Sequence, residues 1–215
     1  MTSAKSFVIG PDILKEMIAR LEFFKIQPKA IVVLGFDEKY GADLIRERYP
    51  QAEIHCNNFP DGKKVDLIVS NLDLPFVADV GNLFVQWQEL LNANGLLMLS
   101  SLGPDTLQEL AGFPLPEFKD MHDIGDALVH ARFADPVLDI ERVELIYSDP
   151  NKLMEEMKVI FTEDPGPISF TQDKVELSFE IIYAHAWTVP VKPQQNPNEE
   201  IRIPLSMLKS TIKNM

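Results

Sequence analysis

Two groups of side chains able to do chemistry lie far apart along this sequence. Tyr183 and His185, in IIYAHAW, stand two residues apart, so a strand sets both on one face. They can line a cleft, or form a hydrogen-bonded pair packed under a sheet, and the residues alone leave both open. Asp120, His122, Asp123 and Asp126 crowd the start of a helical stretch. Carboxylates with a histidine invite a metal, but His122 and Asp126 at i, i+4 supply only two ligands, so capping and dipole contacts account for them better. His130 shares the Asp126 face and pairs with it. Ser70-Asn71 ends an apolar run, where short polar side chains either hold a turn or meet a ligand. No G-x-S-x-G is present and Cys56 sits at an apolar strand end, so no side chain is set up as a nucleophile. No metal site is expected. The remaining feature is the stretch Val33-Leu34-Gly35-Phe36-Asp37-Glu38-Lys39-Tyr40-Gly41, a turn between an apolar run and a helical pattern.

The elements that must position these residues alternate. Gly10-Pro11-Asp12 opens a helix with Ile13, Leu14, Met17, Ile18 and Leu21 on one face, ended by Pro28. Ala30–Leu34 reads as a buried parallel strand, Ala42–Tyr49 as a helix, and Ala52–Cys56 and Val65–Ser70 as two further strands. Leu83, Phe84, Trp87, Leu90 and Leu91 form the next helical stripe, and an Asn94-Gly95 turn leads into the strand Leu96–Ser100. Gly103-Pro104-Asp105-Thr106 has the residues of a helix entry, with Asp105 or Thr106 as cap. A helix over Met121–Arg132, a strand over Val143–Tyr147, a helix over Asn151–Phe161 and a long strand over Val175–Trp187 follow. Strands alternating with helices predict an α/β fold: a mostly parallel sheet of about six strands, with helices on both faces. One domain is expected over 1–215. It divides into an N-terminal helix (1–29), a first half (30–110), a second half (111–189) and a tail (190–215) in which Ile201–Leu208 docks again.

Composition narrows the partners. The 215 residues carry a formal net charge of −13, which opposes binding to nucleic acid or to an anionic membrane surface. The same charge disfavours an acidic protein partner unless basic residues gather locally. One cysteine excludes an internal disulfide. No run approaches membrane-spanning length and the N-terminus lacks a signal-peptide core, so a cytoplasmic protein is expected.

From Val65 onward the chain resembles the biotin-synthesis methyltransferases that O-methylate malonyl-acyl carrier protein. The resemblance rests on VDLIVSNLDLPF (65–76), the Asn94-Gly95 turn, SLGPDTLQEL (101–110), DMHDIGDALVHARFADPVLD (120–139), FEIIYAHAW (179–187) and EIRIPLSMLK (200–209). It covers roughly two thirds of the chain. It implies the Rossmann-like class I methyltransferase fold, with S-adenosylmethionine bound at the carboxyl ends of the first strands. It also places Ser70, Asn71, His122, Tyr183, His185 and Arg202 around a substrate or partner cleft.

The cofactor half departs from that family. Its first loop looks like V-L-D-x-G-x-G-x-G, whose glycines let the backbone approach the ligand. Here Gly35 replaces the acid, Asp37 and Lys39 replace two glycines, and Gly41 alone keeps register. Asp37 and Glu38 bring negative charge where the methionyl carboxylate lies. The acid that grips the ribose is absent, and Asn58 is its neutral substitute. Only eight residues separate Cys56 from Val65, too few for the family's helix and third strand, so one helix–strand unit is deleted and the second strand becomes an edge. The N-terminal lid motif is reduced to Ser6-Phe7.

The expectation is therefore a degenerate relative, with no cofactor, acting by binding or assembly. Its degenerate cofactor loop comprises Gly35, Asp37, Gly41 and Asn58. The alternatives are an active methyltransferase that uses S-adenosylmethionine in an unusual pocket, and a non-catalytic subunit of an active paralogue. Acyl carrier protein or that paralogue is the partner the resemblance implies. A homodimer through the exposed second strand is a further expectation.

Overall fold

The computed structural model describes residues 6–164 and 174–189. Among these residues six strands form one sheet: β1 (Ala30–Gly35), β2 (Glu53–Cys56), β3 (Val65–Asn71), β4 (Leu91–Leu102), β5 (Phe133–Tyr147) and β6 (Val175–Thr188). Their order is β2-β1-β3-β4-β6-β5. The β1/β2, β1/β3 and β3/β4 pairs are parallel, and β6 runs antiparallel to both β4 and β5. Among the described residues no strand stands outside β2, so β1 lies second from that edge. Residues 57–64 form neither helix nor strand. This connection leaves β2, passes β1 and enters β3 on its far side. The connection turns once on the way, Lys63 N donating to the Pro60 carbonyl at 3.3 Å, and Phe59 packs against the sheet.

Alternation along the strands feeds two cores. Ile31, Val33, Leu67, Val69 and Met98 face α1 (Gly10–Arg20), α2 (Glu38–Arg48) and α5 (Pro150–Met157). Val32, Leu34, Ile68, Leu97 and Leu99 face α3 (Val80–Leu90) and α4 (Met121–His130). Asp79, Asp120 and Asp149 cap α3, α4 and α5, each carboxylate accepting from a backbone N–H two or three residues on.

Several boundaries differ from expectation. The first helix stops at Arg20 and continues as one 3-10 turn to Phe23, short of Pro28. α2 begins at Glu38, four residues before Ala42, because Asp37 turns the chain at positive φ directly into the helix. β5 begins at Phe133, ten residues before Val143, since antiparallel β6 pairs with it almost throughout. As an edge strand with much exposed surface, β5 lacks the apolar run that marks a buried strand. Its bulge between Ala134 and Val137 accommodates Pro136. The Asn94-Gly95 turn lies within β4, at a shift of register where Val65 opposes Leu91 and Leu67 opposes Leu96. Gly103–Thr106 is not a helix entry. Glu180 holds this turn instead: its backbone carbonyl accepts from Gly103 N (2.8 Å) and its Oε2 from Asp105 N (3.0 Å). The tail, with Ile201–Leu208 and Arg202, lies outside the described residues. No helix among the described residues is long and apolar enough to cross a membrane.

Candidate functional site

In open α/β sheets, ligands bind outside the carboxyl ends of the strands, where the order reverses. Here that place is the end of β1 and β3. Gly35 leaves β1 at φ +86°, and a Cβ on it would strike the backbone of Asn71, so glycine is required. Gly41 answers a different need. A Cβ there would press on Leu14 and Val33 at 3.0–3.1 Å, so this glycine lets α2 pack on α1 and β1.

Asn71 ties the strand ends together. Its Nδ2 donates to the carbonyls of Phe36 (2.9 Å) and Gly10 (3.3 Å), and its Oδ1 accepts from Ser100 Oγ (2.8 Å). Its own carbonyl accepts from Phe36 N at 2.9 Å. The side chain is fully buried and uses both ends of its amide on the protein itself.

Asp37 holds the N-terminal segment. Its Oδ1 accepts from Ser6 Oγ at 2.5 Å and its Oδ2 from Phe7 N at 3.2 Å. Gly10 completes the contact, for a Cβ there would overlap the Asp37 carboxylate. Above β1, Phe36 is 1% exposed, with its ring 6.3 Å from Phe7 and 5.6 Å from Phe76. Phe7 also meets Phe179 at 5.7 Å. Ser6–Gly10 and Phe36 thus cover the ends of β1 and β3 with aromatic rings and a satisfied carboxylate.

At the end of β2 the working residue is Asn57 rather than Asn58. Asn57 Oδ1 accepts from Gly35 N at 3.0 Å, while Asn58 is exposed and takes no part in this bond. Asn57 sits at positive φ directly after the strand, a conformation that asparagine tolerates and that turns its side chain onto Gly35. Glu38 is buried, and its Oε2 has no hydrogen-bond partner among the described residues. Burial, and then the nearby Glu38 carboxylate, push the Cys56 thiol above its ordinary pKa, which makes it a poorer nucleophile.

The residues expected around one cleft are dispersed. Tyr183 and His185 do share a face of β6, the α1 face. Arg20 lies over the Tyr183 ring at 4.0 Å, and the phenol donates to Glu141 Oε2 at 3.1 Å. Burial and that carboxylate raise the Tyr183 pKa. Phe24 meets the His185 ring at 4.8 Å, and burial lowers the imidazole pKa against the opposing pull of Asp139. Arg20 also binds Asp139 through two bonds of 2.6 and 2.8 Å, closing α1 onto β5. His122 belongs to α4 on the opposite face of the sheet, with its side chain 82% exposed and Nδ1 2.6 Å from Asp120 Oδ1. His130 Nδ1 contacts the Asp126 carbonyl rather than its carboxylate. The described residues contain no group of three or more histidine, cysteine or carboxylate side chains arranged to hold a metal.

Ser70 is fully buried on the α3/α4 side, and its hydroxyl has no hydrogen-bond partner among the described residues. Ser70→Ala is therefore expected to leave stability unchanged or raise it by up to about 1 kcal/mol in urea unfolding, since an unbonded buried hydroxyl is a cost. A loss of about 2 kcal/mol would mean that the hydroxyl has a partner.

No family model matches the chain. Curated relatives do. Malonyl-[acyl-carrier protein] O-methyltransferase 1 of Coxiella burnetii is 29% identical over 94% of this chain and 89% of its own length. The enzyme of the same name from Gallionella capsiferriformans is 28% identical over 91% of this chain and 88% of its own. That alignment spans 258 positions against a chain of 215 residues, so it opens gaps in this chain. The Methylovorus enzyme is 35% identical over 75% of this chain and 60% of its own length. Among solved structures, the YcgJ protein of Bacillus subtilis superposes with a TM-score of 0.51 at 10% identity, covering 82% of this chain and 97% of that one. Haemonchus contortus phosphoethanolamine N-methyltransferase 2 superposes at 0.50 and 12% identity, covering 82% of this chain and 52% of that one. These similarities show the Rossmann-like class I methyltransferase fold.

Proposed function

From homology to the malonyl-[acyl-carrier protein] O-methyltransferases as premise, we propose that this chain is a derived relative that acts by binding or assembly and has lost conventional S-adenosylmethionine binding. One observation carries the reading: Asp37 and the N-terminal segment satisfy each other where the cofactor's amino-acid end would lie. A ligand carboxylate seeks N–H and O–H donors. Ser6 Oγ and Phe7 N already serve the Asp37 carboxylate, which would also repel a second one. Asn57 spends its carbonyl oxygen on Gly35, and no acid stands at the end of β2 to accept ribose hydroxyls. These residues do not suit S-adenosylmethionine, so no methyl-transfer step is assigned to them.

Sequence similarity along most of the chain to enzymes named for malonyl-acyl carrier protein favours a second reading, an active methyltransferase with an altered pocket. Methyl transfer from a sulfonium depends mainly on alignment of the reactants, so that reading needs only a competent cofactor site. Acyl carrier protein is the partner that both readings share. The two separate in one assay. Purified protein incubated with methyl-labelled S-adenosylmethionine and malonyl-acyl carrier protein is expected to transfer no label above an enzyme-free control. Transfer that grows with enzyme concentration would establish the second reading.

A further inference from the structure

At the opposite end of the sheet, beside the amino ends of β1 and β2, a groove of about 720 Å³ runs between two short segments. Phe24, Ile26 and Pro28 form one wall, and Tyr49, Pro50 and Ala52 the other. Lys25 and Arg48 stand along it. Phe23, which precedes the groove residue Phe24 in the chain, is 84% exposed, the most exposed of the large apolar side chains described. We propose that this groove docks an acidic amphipathic segment of a partner protein, apolar residues inward and carboxylates on the two cations. The proposal rests on the binding reading above.

Charge selects the occupant. The chain carries a net −13, yet residues 20–29 and 46–52 hold Arg20, Lys25, Lys29, Arg46 and Arg48 against only Glu22 and Glu47. Arg20 and Arg46 are engaged with Asp139 and Asp43. Lys25 pairs with no carboxylate among the described residues, and Arg48 meets Glu22 only at 3.5 Å. This locally basic rim on an acidic protein steers an acidic partner to one place. Aromatic and arginine side chains around an apolar floor are also the composition of interface centres. The chain's own tail is a poor match, because residues 190–215 carry Lys192, Arg202, Lys209 and Lys213 against Glu199 and Glu200.

The test uses a fluorescent helical peptide with leucines on one face and glutamates on the other, and a control peptide with lysine in place of glutamate. Fluorescence anisotropy with the full chain should show saturable binding of the glutamate peptide, weakened by salt, and no saturation with the lysine peptide. Lys25→Glu and Phe23→Ala are both at exposed positions, so the fold should hold in each; each should weaken binding at least fivefold. Arg48→Glu should do the same, with circular dichroism checking its fold because Arg48 also lies over the Tyr49 ring. The proposal is overturned if the glutamate peptide fails to saturate, if both peptides bind alike, or if Lys25→Glu and Phe23→Ala leave binding unchanged. A dimer in solution that Lys25→Glu dissociates would assign the groove to a second copy and overturn it as well. Failure here leaves the methyl-transfer assay untouched, so the two claims fall separately.

Discussion

Phe36→Ala is expected to destabilise the protein by about 3–5 kcal/mol, the usual cost of emptying a buried aromatic site. The ring is 1% exposed and packs between Phe7 and Phe76, so its removal opens a cavity between their rings. For a domain of this length each kcal/mol lowers the melting temperature by roughly 2–4 °C, so the loss should be plain in a thermal melt. The significance lies in where the ring sits. It occupies the strand-end position that a ligand takes in other sheets of this type. A ring packed as core there makes the site part of the fold. If Phe36→Ala costs under about 1 kcal/mol, the ring is a loose cover and the strand ends are open to a ligand.

Asn71→Ala is the second large effect, expected to cost on the order of 3 kcal/mol in urea unfolding. The substitution strips a donor from the buried carbonyls of Phe36 and Gly10 and an acceptor from the Ser100 hydroxyl. Each such group left unbonded costs about 1–3 kcal/mol, reduced where a water enters. Asn71→Asp should be worse than alanine, because it keeps the acceptor but sets a buried carboxylate against two carbonyl oxygens. A side chain kept for a substrate would behave differently: alanine there would leave the unfolding midpoint nearly unchanged.

Much of the architecture was legible because it depends on local pattern. The apolar runs at Ile31–Leu34, Leu67–Val69 and Leu96–Leu99 could only be buried strands, and eight residues after Cys56 could not hold a helix and a strand. Period two correctly set Tyr183 and His185 on one face. What covers that face was not legible, since Arg20 reaches Asp139 across 119 positions and Phe24 comes from the same distant turn. The expected grouping of His122 with Tyr183 was unreadable for a similar reason. Whether α4 packs on one side of the sheet or the other is decided by chain crossing, not by its own amphipathic stripe. The role of Ser6-Phe7 also depended on a long-range contact. As sequence it is a worn lid motif; in the fold it is the donor pair for Asp37, 31 and 30 residues away. Asn57 and Asn58 are equivalent by composition, and only the turn after β2 decides that Asn57 meets Gly35.

In the proposed function, Asp37, Phe36 and the N-terminal segment have taken the cofactor's place. Isothermal calorimetry with S-adenosylhomocysteine, the uncharged-sulfur product that removes any complication from turnover, tests it most directly. No saturable binding with a dissociation constant below about 1 mM, equivalent to only about −4 kcal/mol of binding free energy, is expected. A saturable one-to-one isotherm with a dissociation constant near 1 μM, about −8 kcal/mol, would contradict it and return the chain to the enzymes it resembles.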